Sequence, residues 1–358
     1  MAVNIFMLMF VVCPEDSMTR RSLAIAFCLF GSFLVLFSGR TVTAEDRVVL
    51  LDGDNREIVR RGEVLDYSRE TLNFRTSQGR EIKIPAARVI QVEPARSESH
   101  RLADQHFAAG EFRQAQDAYR AAFRGEKRTW VRREILSQIV KSYTNSSNYR
   151  AAGTTFLLLL EEDPATRHFD AIPLVWKPFQ PSQAVAKVAQ DWLANGAAPA
   201  KLIGASWLLS TSSRSAAINV LQQLRRDRDR RVAQLALTQL WRTQLVTTRK
   251  DIVLHEWTRT ASVMPFELRG GPHYLIGRAL RKHGETDRSV LELMRVPIQY
   301  AWMRDVAAES IWEAANQLEQ NNRSTEALRL YRELVRDFPE TMSAEQAEQR
   351  LAKTASRD

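Results

Sequence analysis

The sequence predicts a mainly α-helical protein, an α-solenoid of stacked helical hairpins preceded by a small all-β module. Three observations lead there. Residues 110–119 read Gly-Glu-Phe-Arg-Gln-Ala-Gln-Asp-Ala-Tyr, and residues 321–339 return to the pattern as Asn-Asn-Arg-Ser-Thr-Glu-Ala-Leu-Arg-Leu-Tyr-Arg-Glu-Leu-Val-Arg-Asp-Phe-Pro. Apolar residues recur with a helical period from Ser99 onward, whereas between Arg47 and Glu93 the period is two. Large residues repeat at matching intervals, Tyr119 to Phe156 at 37 residues and Leu293 to Tyr331 at 38, as expected when each hairpin buries its apolar face only against the next.

Size and charge bound the answer. A chain of 358 residues is too long for one small core and suits several domains or an elongated array. Eight tryptophans and 44% hydrophobic residues argue against disorder over most of the length. The formal charge is +9, and without residues 1–44 the chain keeps 48 basic against 40 acidic residues. Such a balance favours anionic partners. In the densest basic run, Arg225 to Arg231, Asp227 and Asp229 interrupt the arginines, which reads as a solvated face. Cys13 and Cys28, the only cysteines, both lie before residue 45, so the main body offers no disulfide and no thiol ligand or nucleophile.

Taken in order, the chain begins with an export signal. Thr19-Arg20-Arg21 precedes a 17-residue apolar run from Ser22 to Ser38, and Val42-Thr43-Ala44 offers small residues for a signal peptidase. Residues 1–44 are therefore read as a signal peptide, with Met18 an alternative start and an uncleaved membrane anchor an alternative fate. Export places the protein in a periplasm or outside the cell.

Residues 45–95 form the β module. Val48 to Leu51, Gly62 to Tyr67, Thr71 to Thr76, Glu81 to Pro85 and Arg88 to Val92 are strand-length runs, with turns at Asp52-Gly53-Asp54-Asn55 and Ser77-Gln78-Gly79-Arg80. Five short strands in about 50 residues favour a bent sheet or barrel that closes its edges. By strand spacing the module resembles Sm-like and SH3-like small barrels, and a docking or capping role for the array is expected of it.

Residues 99–358 form the helical array after a polar linker, Pro94 to Glu98. The first hairpin places Leu102 and Ala103 on one helix, Gly110 in the turn, and Phe112, Ala115, Tyr119 and Ala122 on the next. The second uses Leu136, Val140 and Tyr143, then Tyr149, Ala152, Phe156 and Leu159, stopping at Pro164; its Leu157 to Leu160 run is expected to be buried nearly all round. Pro173, Pro178 and Pro181 make Ile172 to Gln183 irregular, a loop that must hide Trp176 and Phe179 and is expected to fold back on the array. Helical pairs resume from Ala200 to Gln244. Residues 245–272 contain His255, Trp257 and a loop at Arg269-Gly270-Gly271-Pro272. From His273, Tyr274, Gly277 and Leu280 lead through Gly284 to Ser289, Leu293 and Val296, with Pro297 as a stop. The last hairpin uses Ile311, Ala315 and Leu318, then Ala327, Tyr331, Leu334 and Pro339, and a polar amphipathic helix from Ser343 caps the array.

The first, second and last hairpins resemble the tetratricopeptide repeat, and Ala200 to Gln244, with Asp227 before Val232-Ala233, resembles a HEAT-type repeat. The tetratricopeptide resemblance implies a right-handed superhelix that binds proteins or peptides through side chains on the first helices of its hairpins. On that basis Gln105, Ser137, Lys141 and Gln317 are candidate partner-binding residues.

No catalytic, cofactor-binding or metal-ligating set stands out. The six histidines are not paired at metal spacing, Asp52 to Asn55 lacks the closing glutamate of a calcium loop, and the glycine pair at 270–271 has no lysine after it. Glu161-Glu162-Asp163 reads as a solvated helix end. The expected function is an exported, non-enzymatic scaffold for other proteins at the cell envelope, without cofactor. The alternative is a binder of an anionic polymer, cell-wall glycan or nucleic acid, through the basic surface; of these, nucleic acid is the less expected for an exported chain, and membrane contact is expected only with the anchor uncleaved.

Overall fold

The structure, a computed structural model, describes residues 45–355, so the export signal read over residues 1–44 lies outside it. The described residues form one compact unit, mainly α-helical, with a small antiparallel sheet at its start. Strands β1 (Asp46–Leu51), β2 (Glu57–Tyr67), β3 (Thr71–Thr76), β4 (Glu81–Pro85) and β5 (Val89–Glu93) are ordered β4-β3-β2-β1-β5. β2 is nearly twice the run read from the sequence because it serves two partners, β1 along its first half and β3 along its second. The changeover falls at Gly62, where a Cβ would lie 2.3 Å from the Arg75 carbonyl oxygen, so only glycine fits. Val48, Leu50, Val64, Leu72 and Phe74 line the buried face. They share one core with Ala103, Ala115, Tyr119, Trp130 and Ile135 of the first helices. A sheet of this size cannot bury its apolar face alone, and the helices finish the task.

Four hairpins are built alike. They are α1 (Glu98–Ala108) with α2 (Phe112–Gly125), α3 (Thr129–Asn145) with α4 (Tyr149–Glu162), and, later in the chain, two more beyond the middle. Between α4 and those two come α5 (Gln183–Asn195), α6 (Ala198–Leu208), α7 (Arg214–Leu224), α8 (Arg230–Gln244), the short α9 (Lys250–Ile252) and α10 (Thr258–Ser262). The later hairpins are α11 (Gly270–Lys282) with α12 (Thr286–Gln299) and α13 (Arg304–Gln320) with α14 (Ser324–Asp337); α15 (Met342–Ala355) follows and packs on α13 and α14. Each of the four hairpins turns through a left-handed residue: Gly110, Ser147, Gly284 and Asn322, at φ of 77°, 59°, 72° and 62°. Each closes with one backbone hydrogen bond spanning five residues, from Glu111, Asn148, Glu285 and Arg323 to the carbonyls of His106, Tyr143, Leu280 and Leu318. A small residue then follows at the same place in the second helix, Ala115, Ala152, Ser289 and Ala327. A large one comes four positions on, Tyr119, Phe156, Leu293 and Tyr331, all fully buried.

The middle departs from the sequence reading at three points. Residues 250–262, left unassigned as helix, form α9, a π-helical stretch Val253–Trp257 and α10, in which the Trp257 ring stacks on Trp241 at 4.5 Å. The Arg269 to Pro272 segment is not a loop: Gly270 to Pro272 are the first turn of α11, where a proline is tolerated because the opening N–H groups have no helical acceptor. Pro297 does not stop α12, which runs two residues further. The leucine run at 157–160 is also less enclosed than expected, with Leu159 fully buried, Leu157 and Leu160 half-buried and Leu158 45% exposed. The next hairpin does not follow directly on α4, so one side of that helix is left without a neighbour.

In place of a hairpin, residues 163–182 run as irregular chain through the protein. Phe169, Ile172, Leu174, Val175 and Trp176 are all buried in the main core. Among the described residues no helix is long and apolar enough to cross a membrane.

Candidate functional site

Residues 163–182 are enclosed by helices from before and after them in the chain. Five helices grip them. From α6, the Ser206 hydroxyl accepts from the Val175 N–H at 2.9 Å and donates to the Val175 carbonyl at 3.3 Å, while Trp207 Nε1 donates to the Pro173 carbonyl at 2.8 Å. From α8, Gln239 donates to the Val175 carbonyl at 3.2 Å, Arg242 to Lys177 at 3.2 Å, and Arg231 to Pro164 and Thr166 at 2.8 and 3.0 Å. From α11, Gly271 leaves room for the Trp176 indole. From α13, Asp305 pairs with Lys177 at 2.7 Å, and from α3, Lys141 pairs with Asp170 at 2.6 Å. Side chains of α6 and α8 thus satisfy the backbone of a segment whose one regular element is a 3-10 turn at Phe169–Ala171. Burial, with Arg214 nearby, pushes the Arg242 guanidinium down to about 10.

The ends of the array come together around this segment. The Asn145 amide donates to the Trp302 carbonyl at 2.8 Å and its oxygen accepts from the Arg304 N–H at 3.2 Å, tying the end of α3 to the start of α13. Arg304 in turn pairs with Glu340 at 2.6 Å, and the Glu340 carboxyl lies beside Gly110 in the first turn. Between the segment and these helices remains a cavity of about 60 Å³, bordered by Tyr149, Asp170, Trp176, Trp302 and Asp305. That is room for a few waters. Its carboxylates are matched by the chain's own Lys141 and Lys177, and the Lys141 ammonium also sits 4.5 Å from the Trp302 ring centroid. Burial raises the Tyr149 hydroxyl to about 12, so it stays protonated.

The residues singled out from the sequence are placed apart. Gln105 is exposed on α1. Ser137 is buried and donates to the Glu134 carbonyl at 2.7 Å. Gln317 is buried and accepts from Ser289 at 2.6 Å, a contact between hairpins. Lys141 is buried and pairs with Asp170 of the inner segment at 2.6 Å. Trp176 and Phe179 serve packing, the latter against Tyr149 at 4.6 Å. Of the acidic run, Asp163 pairs with Arg133 at 2.7 Å while Glu161 and Glu162 are exposed. Asp52 closes its own turn by accepting from the Asp54 and Arg56 N–H groups.

A groove of about 570 Å³ is open beside α4, α5 and α6, and another of about 630 Å³ lies between α13 and α15. Leu157 and Leu160 of α4, Pro164, Trp192 of α5 and Pro199 of α6 form the apolar surface of the first, with Glu161 and Asp191 at its rim. Sequence reasoning took the leucine run for core and missed this groove. The signal was the distance from Pro164 to the next helix, which left α4 short of a neighbour.

No protein-family model matches the chain, and no curated protein matches it. Among the described residues no group of three or more His, Cys, Asp or Glu side chains is placed to hold a metal ion.

Proposed function

We propose that this protein is an exported, non-enzymatic scaffold that assembles other proteins at the cell envelope. It is a solenoid of tetratricopeptide-like hairpins, HEAT-like in its middle, carrying a small barrel-like β module and a cleaved export signal. One observation supports the reading: side chains of α6 and α8 hold an irregular peptide segment by its backbone, while α3, α11 and α13 meet its side chains, which is the binding chemistry of a helical array. In this chain the held segment is its own. The interior then serves rigidity, and partners dock on the outside, where the groove beside Leu157, Leu160 and Trp192 accepts an apolar side chain of a partner segment.

The test is cross-linking in the native envelope followed by purification of the full chain. Defined protein partners should be recovered, and Leu157→Glu should lose at least one of them while keeping the melting curve of the parent. Recovery without any protein partner would count against the scaffold, and an unchanged partner set in the variant would move the docking surface elsewhere.

A further inference from the structure

The turn between α7 and α8 does not carry the balanced charge its sequence suggests. Asp227 and Asp229, which alternate with the arginines of residues 225–231, are both turned to internal duties. The Asp227 carboxylate accepts from the Asp229 N–H at 2.8 Å. Asp229 caps α8 by accepting from the Arg231 N–H at 2.9 Å, and it also receives the Arg231 guanidinium at 2.7 Å. Arg231 is itself buried and spends its other donors on Pro164 and Thr166. Arg225, Arg226, Arg228 and Arg230 are left exposed, and among the described residues none of their side chains makes an ion pair or hydrogen bond. Other exposed arginines, Arg60, Arg61, Arg329 and Arg332 among them, also make no ion pair among the described residues; what sets this turn apart is that four of them stand within six positions.

We propose that this arginine cluster, Arg225, Arg226, Arg228 and Arg230, is a binding site for a linear polymer of phosphates. The four arginines stand within six residues, at most about 17 Å of chain, so together they offer several charges to neighbouring phosphates of one polymer. Arginine forks match phosphate oxygens two at a time, which lysines do not. From Arg225 to Arg230 no aromatic or aliphatic side chain is interleaved, so the turn offers no aromatic platform for bases and no apolar group to enter a lipid surface. The first N–H groups of α8 are already capped by Asp229, so recognition rests on the side chains and on charge.

Inorganic polyphosphate is the probe. Binding to the purified full chain should weaken about fifty-fold between 50 and 200 mM salt if four phosphates are met, on the slope measured for flexible polyanions. The variant R225Q/R226Q/R228Q/R230Q should lose about tenfold or more at low salt and most of the salt dependence, with R228Q/R230Q in between. A control with the same charge change at exposed positions elsewhere, R60Q/R61Q/R329Q/R332Q, should stay within about threefold of the parent. Equal losses in both fourfold variants would reduce the effect to net charge and overturn the site. So would salt-insensitive binding, absence of binding, or tighter binding to polyglutamate or to anionic phospholipid vesicles. The arginine variant should leave the envelope cross-linking pattern unchanged, so this site and the scaffold stand or fall separately.

Discussion

Trp176 occupies the space in which any side chain on Gly271 would stand: a Cβ there would lie 2.0 Å from two indole atoms. The irregular segment and the first turn of α11 are fitted to each other across 95 positions of sequence. Gly271→Ala is therefore expected to cost about 1–3 kcal/mol by overpacking, and Trp176→Ala about 3–5 kcal/mol by leaving a cavity. Chemical denaturation of the two single variants and the double variant separates the terms. In the Trp176→Ala background the Gly271→Ala cost should largely vanish; the same cost in both backgrounds would mean the glycine is required for something other than the indole.

The two tyrosines at opposite ends of the array make the same hydrogen bond. Tyr119 donates to Asp104 and Tyr331 to Asn316, each at 2.8 Å and each 15 residues back. Burial raises both hydroxyls well above their ordinary range, with Asp104 adding to it for Tyr119 and Glu319 for Tyr331. Tyr119→Phe and Tyr331→Phe should each lower stability by about 0.5–1.5 kcal/mol. Thermal melts that show a loss at one end only would break the equivalence of the two hairpins.

Asn145 joins α3 to α13 with both ends of its amide. Asn145→Ala leaves the Trp302 carbonyl and the Arg304 N–H unpaired and is expected to cost about 1–3 kcal/mol. Hydrogen exchange should show the loss locally, as faster exchange at Arg304 and the first turn of α13, with α7 unchanged. Uniform acceleration over all helices would mean the closure has no local role.

Two histidines make the fold sensitive to acid. Burial lowers His100, with Asp104 opposing it, and neither ring nitrogen has a hydrogen-bond partner. Burial and then Arg167 lower His168 to about 3. Both are neutral in the fold, so the unfolded chain binds more protons once the pH falls below about 6.5. Their contribution to stability is complete above that value and is lost progressively toward the folded value, which for His168 means down to about 3. The urea midpoint should drop between pH 7.5 and 5, and His168→Gln should flatten that drop. A midpoint that rises on acidification would reverse the sign and refute the assignment.

The hairpins were legible because a period and a turn residue specify them locally. Gly110, Gly284 and the Ala115/Tyr119 and Ala327/Tyr331 pairs announce a turn and a helix face within a dozen residues. The same local logic misread Gly270-Gly271-Pro272, whose glycines answer to Trp176 and Tyr300 rather than to a turn. It missed the helix at 250–262 because a π-helical stretch breaks the period just where Trp257 reaches Trp241. Lys141 was singled out as a partner-binding candidate, but its pairing with Asp170 was not legible, since nothing local ties a lysine on a helix to an aspartate in a loop. The charge of residues 225–231 was misjudged for a related reason: sequence counts the acids, and only geometry shows where they point.

An array of independent hairpins can gain or lose a copy without harm, because each copy meets only its neighbours. The segment at 163–182 removes that freedom here. Its contacts are to α3, α6, α8, α11 and α13 at fixed places along one strand of chain, and Asn145 must still meet Trp302 after all of them. Deleting or duplicating a hairpin would put every later helix out of step with the residue it holds. The number of hairpins in this protein is thus set from within, as the number of turns on a bolt is set by its length, and lineages carrying it should vary in their loops and not in their repeat count.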